Sequence, residues 1–136
     1  MKKIRLFTYL VVIAVLIAAF ALMGASCSVS SANVQNAVMT SAVDADGTPV
    51  DSVTTYPVGA PVYAVAELHN APDDTIITFK WFAEGQQVDE ISLTNTLTDQ
   101  YVMSNVDGIT QAGNYSVEIY INEREEPDAV LSFTVQ

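Results

Sequence analysis

The chain has one cysteine, one histidine and five basic residues among 136. A single cysteine excludes an intramolecular disulfide and any cysteine-rich zinc site. A single histidine, His69, leaves no second imidazole for a metal cluster. Sixteen acidic residues against five basic ones give a formal charge of −11, which argues against a nucleic-acid partner. No Gly-rich phosphate loop, nucleophile elbow or HExxH helix occurs, so neither a cofactor nor a catalytic constellation is expected. The length allows one ordinary domain, and an apolar half is not the composition of a disordered chain.

The charge is unevenly placed. Lys2, Lys3 and Arg5 stand in the first five positions, and an almost unbroken apolar run follows from Leu10 to Met23. A basic start, a short apolar run and the small residues Gly24, Ala25 and Ser26 read as a secretory signal. The run is short for a membrane span of about 20 residues. Counted from Phe7 to Ala25 it is long enough to leave an uncleaved single-span anchor open, and soluble secretion is a third outcome.

The stretch Leu22-Met23-Gly24-Ala25-Ser26-Cys27-Ser28 resembles the processing site of a bacterial lipoprotein precursor. Gly24 stands where a leucine is usual in that family. The resemblance implies lipid attachment at Cys27 and a domain held at the extracytoplasmic face of the cell membrane. Residues 1–26 are then the signal peptide and 27–36 a flexible, Ser- and Asn-rich tether. The domain follows over 37–136. Without the first 26 residues, sixteen acids face only Lys80 and Arg124, a formal charge of −14. That surface is expected to be well solvated and repelled by anionic headgroups.

Beyond the tether, apolar residues alternate with a period of two, the pattern of half-buried strands. Val62, Ala64, Ala66 and Leu68 share one face of the clearest segment. Ile77, Phe79 and Trp81 do so in the next, and Glu84-Gly85-Gln86 turns it into a segment over 88–93. A strand near 101–106 has no clear inward face. Val117, Ile119 and Ile121 alternate after Tyr115, and Leu131, Phe133 and Val135 end the series. With a first strand around 34–43, about seven short strands predict an all-β antiparallel sandwich.

Trp81 lies mid-strand and Tyr115 opens the penultimate strand. With Pro61 to Pro72, Lys80-Trp81-Phe82, Gly113 to Tyr120 and Phe133-Thr134-Val135, they make residues 37–136 resemble the immunoglobulin-like domains of bacterial surface lipoproteins. Most members of that family have no known function. The resemblance implies a fold with Trp81 and Tyr115 as structural core, and no catalytic or metal-binding residues.

Candidate chemistry is sparse. His69 sits in a turn beside Asn70 and reads as a loop residue. Asp44-Ala45-Asp46-Gly47 begins like a calcium loop, but the twelfth position is Thr55 where a bidentate glutamate is needed, so an Asp-Gly turn is expected. Asp73-Asp74 and the Glu123, Glu125, Glu126, Asp128 group read as solvated turns. Asn114-Tyr115-Ser116 matches a glycosylation sequon by chance, at the start of a core strand. Tyr56, Tyr63, Phe82 and Tyr120 are not assigned to the core by alternation, and an exposed strip of them suits a glycan or protein partner. The expected role is a non-catalytic binding or interaction module; a structural spacer or accessory subunit of an envelope complex is the alternative.

Overall fold

Val62, Ala64, Ala66 and Leu68 are wholly buried, while Tyr63, Glu67 and His69 between them are half-exposed. Only an extended chain with one covered face produces that alternation. The computed structural model describes residues 31–136. The signal segment, the lipoprotein processing site, Cys27 and the first tether residues lie outside them. Eight strands form two sheets, and among the described residues there is no helix.

In chain order the strands are β1 (Asn33–Thr40), β2 (Thr55–Tyr56), β3 (Val62–His69), β4 (Ile76–Ala83), β5 (Gln86–Thr94), β6 (Gln100–Val106), β7 (Gly113–Ile121) and β8 (Ala129–Val135). The smaller sheet has the order β1-β3-β6 and the larger β2-β8-β7-β4-β5. All pairings are antiparallel except that of β2 with β8. One hydrophobic core joins Ala64, Leu68 and Val102 of the smaller sheet with Phe79, Trp81, Val117, Ile119 and Phe133 of the larger. Each fully buried large side chain contributes roughly 1.5–3 kcal/mol.

Trp81 is 2 % exposed, and its Nε1–H donates to Ser104 Oγ at 3.1 Å. That bond crosses from β4 to β6, one sheet to the other. It also explains the inward face of β6, which alternation left undecided. Ser104 turns in beside Val102 because the buried indole needs an acceptor there. Phe133 is the hub of an aromatic cluster, edge-on to Tyr56 and Trp81 and stacked at 5.4 Å on Tyr115. The Tyr115 hydroxyl donates to Gln111 O at 2.8 Å, closing the connection from β6 to β7.

The hairpin between β4 and β5 has two turn residues, Glu84 and Gly85, both with positive φ (47° and 81°). This is the type I′ geometry that matches strand twist. Glu84 gains a compensating bond, since its Oε1 accepts from Asn114 N at 2.7 Å. Gly113 makes room for it: a Cβ there would stand 2.7 Å from the same oxygen.

Two features differ from the sequence expectation. Strand β1, expected around 34–43, spans Asn33–Thr40, so residues 33–36, also counted in the expected tether, lie in a sheet. The polar composition that suggested a linker is that of an edge strand, with a bulge between Gln35 and Val38 and Asn36 at φ 48°. Strand β2 was not anticipated, because two residues carry no period. Its pairing with β8 buries Tyr56 to 2 % exposure, with the hydroxyl donating to Thr40 O at 2.9 Å. Burial, aided by Asp51 nearby, pushes the Tyr56 phenol up to about 12, so it remains a donor.

Replacing Trp81 with alanine is expected to cost about 3–5 kcal/mol in urea unfolding. Ser104→Ala should cost about 1–3 kcal/mol, because it strands a buried N–H. In a Trp81→Phe background the Ser104→Ala cost should largely vanish. Additive costs in that double-mutant cycle would show that the bond between the sheets contributes nothing.

Candidate functional site

The outer face of the smaller sheet is built by the other half of the alternation. Along β3 it carries Tyr63, Val65, Glu67 and His69. Register places Val65 between Val38 of β1 and Met103 of β6, and Glu67 between Gln35 and Tyr101. Val65 is 1 % exposed although it faces away from the core between the sheets. Tyr101 and Met103 are 40 % and 37 % exposed.

Polar groups converge at one end of this face. Glu67 Oε2 lies 3.0 Å from His69 Nε2 and accepts from Asn36 Nδ2 at 3.2 Å, while Oε1 accepts from the Tyr101 hydroxyl at 3.4 Å. The other ring nitrogen of His69 is 3.4 Å from Asp99 Oδ1, which also accepts from Asn70 N. Glu67, Leu68, His69, Asp99, Gln100 and Tyr101 line an open hollow of about 330 Å³. The hydrogen bonds from His69 and then Asn36 hold the Glu67 carboxyl below its ordinary value. Chemically this is a hydrogen-bonded polar patch beside exposed aromatic and thioether groups. Both nitrogens of His69 face carboxylates rather than a nucleophile, so the arrangement is not the base of a triad.

His69 is therefore the last residue of β3 and lies between two carboxylates, not in a free turn. The spacing of Glu67 and His69 carried part of the signal, since residues two apart on a strand share a face. Tyr101 of β6 and Asp99 just before it come from another part of the chain and had no such signal.

The remaining candidates are spent locally or lie apart. Asp44 Oδ1 accepts from Asp46 N and Thr48 N, both at 2.9 Å, which fixes its own turn. Asp128 pairs with Arg124 and accepts from Ile121 N. Among the described residues no group of three or more His, Cys, Asp or Glu is placed to hold a metal. The four aromatics do not form one strip. Tyr56 is in the core, Tyr63 is on the smaller sheet, and Phe82 and Tyr120 are on the outer face of the larger. There Lys80 Nζ sits 4.6 Å over the Tyr120 ring. A polar cleft of about 390 Å³, with Thr54, Glu84, Asn114 and Ser132 in its lining, lies at the opposite end of the domain from His69.

No family model and no curated protein matches the chain. Among solved structures 27 chains match. One is the Pseudomonas fluorescens alkylpurine DNA glycosylase AlkC bound to DNA containing an abasic site analog, at 11 % identity and a TM-score of 0.52. The match covers 79 % of this chain and 31 % of that one, so the chain spans about a third of that protein's length. At this identity the likeness is one of fold. It nonetheless corrects the exclusion of nucleic acid drawn from composition, because a fold of this kind forms part of a chain solved on DNA. Net charge is a sum over the whole molecule; it sets long-range attraction, not which local surface a fold presents.

Acid should loosen Glu67 at this site and Asp51 at the opposite end of the domain. The Glu67 and Asp51 carboxyls are both held below their ordinary values of 4.5 and 3.8, Asp51 chiefly by hydrogen bonds from Ser41. Their contribution to stability is complete above those values and is lost as pH falls through the depressed folded-state values. The urea midpoint should be flat at neutral pH and decline below about 4.5, and Glu67→Gln should flatten part of that decline. An unchanged decline in Glu67→Gln would assign it to other carboxylates.

Proposed function

We propose that the protein is a lipid-anchored, extracytoplasmic immunoglobulin-like domain that serves as a non-catalytic interaction module. The strand order carries the fold part of this reading. β1-β3-β6 against β8-β7-β4-β5, with the short β2 alongside β8, supports a fibronectin-III-like sandwich whose first strand crosses between sheets. Tyr115 at the start of β7, bonded back to Gln111 O, has the geometry of a tyrosine corner.

The anchor part rests on Lys2, Lys3, Arg5, the apolar run and Cys27. The start of the domain is consistent with a tether at that end. Ala32 is buried, and its carbonyl accepts from Arg124 Nη2 at 2.7 Å in the connection from β7 to β8. Five residues separate Cys27 from Asn33. At about 3.3–3.6 Å per residue they reach roughly 20 Å, so a lipid at Cys27 would hold this end of the domain close to the bilayer. A spacer or accessory subunit is the second reading, and the free edge of β6 favours its accessory form.

Mass spectrometry of the membrane fraction tests the anchor. The wild-type chain should begin at Cys27 and carry a lipid increment, and Cys27→Ser should lose the increment and keep its first 26 residues. A wild-type chain without lipid would overturn this reading.

A further inference from the structure

Four strands lie at sheet edges: β1 and β6 in the smaller sheet, β2 and β5 in the larger. An edge presents unpaired N–H and C=O groups on alternate residues, and proteins blunt it with charge, bulges, proline or shortness. β1 is interrupted by its bulge at Asn36. β2 is two residues long and pairs only with Thr134 and Val135, so among the described residues the first part of β8 has no strand partner on that side either; Arg124 and Asp128 lie just before it. β5 exposes Asp89 and Glu90 and has an extra residue, Val88, opposite the Trp81–Phe82 step.

β6 has none of these devices. Its seven residues, Gln100 to Val106, pair with β3 without a register break and include no proline and no charged side chain. Among the described residues its outer edge has no backbone partner. Tyr101 and Met103 stand exposed beside that edge.

The charges around β6 select the occupant. Asp99 precedes the strand, Asp107 follows it and Glu67 lies beside Tyr101, while β1, β3 and β6 contain no lysine or arginine. A second copy pairing β6 antiparallel to β6 would bring Asp99 towards the other Asp107, between chains that are each strongly acidic. Like charges placed opposite one another oppose that pairing. We infer that β6 is a docking edge, which accepts an extended, Lys- or Arg-bearing segment of a partner protein as the fourth strand of the smaller sheet. Main-chain bonds would supply affinity, and the Tyr101 and Met103 side chains with the flanking carboxylates would supply selectivity. This deepens the interaction-module reading and rests on it, but not on the lipid.

The test uses the full chain in detergent with two blocked synthetic peptides. Each alternates valine and threonine, one with lysine at both ends and one with glutamate. Hydrogen exchange read by mass spectrometry should slow across residues 100–106 with the lysine peptide and not with the glutamate peptide. Met103→Lys, a change at a part-exposed site, should weaken the lysine peptide by about fivefold, the loss of roughly one cross-strand pair. Val88→Lys on β5 should leave it unchanged. Protection of another strand, or equal protection by both peptides, overturns the β6 assignment while the module reading stands. Concentration-dependent protection of β6 without peptide makes a second copy the occupant and overturns the proposal. Protection by neither peptide overturns it too; the module reading itself fails only if no protein or glycan raises the Tm.

Discussion

Among the described residues, the bond from Trp81 Nε1 to Ser104 Oγ joins two buried side chains from opposite sheets within a largely apolar interior. With no disulfide available, the two sheets are held together by packing, by this contact and by the Tyr56 hydroxyl bond to Thr40 O. An indole buried without an acceptor costs roughly as much as the net gain from several ordinary hydrogen bonds. The contact therefore fixes how β4 and β6 face each other, and with them the position of each sheet. Phe133 extends the same constraint to β8, since Trp81, Tyr56 and Tyr115 all pack on its ring. Through Tyr56 the cluster reaches β2 and, by the hydroxyl bond to Thr40 O, the end of β1.

That arrangement organises the two ends differently. Near the start of β1 the loops are tied to each other by main-chain and amide bonds. Asn95, buried to 2 % exposure, donates to Ala71 O and Leu97 O, while Ala71 N donates to Thr98 O. Arg124 adds the carbonyl of Ala32. At the other end the ties are carboxylates: Asp51 accepts from Ser41 and Thr40, and Glu84 from Asn114 N.

Much of the architecture was legible because most strands bury one face and leave the other wet. β3, β4 and β7 each show inward residues two apart, and the turn at Glu84-Gly85 follows from composition. What was hidden belongs to the periphery. β2 is too short to have a period, so the burial of Tyr56 could not be read from its neighbours. The first residues of β1 look like linker because an edge strand with a bulge needs little apolar surface. Ser104 was ambiguous because a polar residue turned inward breaks the alternation; only its partner Trp81, 23 positions away, gives the reason. The candidate site was half visible: Glu67 and His69 share a strand face, whereas Asp99, Tyr101 and Asn36 meet them only through pairing.

The unguarded edge and the acidic surface are best understood together. A seven-residue edge with exposed aromatic and thioether side chains invites self-association when copies are concentrated. Guarding it with lysine or a bulge would stop that, and would equally stop any other strand from docking. A strong net negative charge acts at longer range: it repels every copy of the same chain before edges can meet, and it attracts a segment of opposite sign. Carboxylates at both ends of β6 repeat that discrimination at contact distance. The absence of charge, proline or a bulge along β6 and the scarcity of basic residues in the whole chain are then parts of one solution, in which global charge suppresses self-pairing so that this edge can remain open.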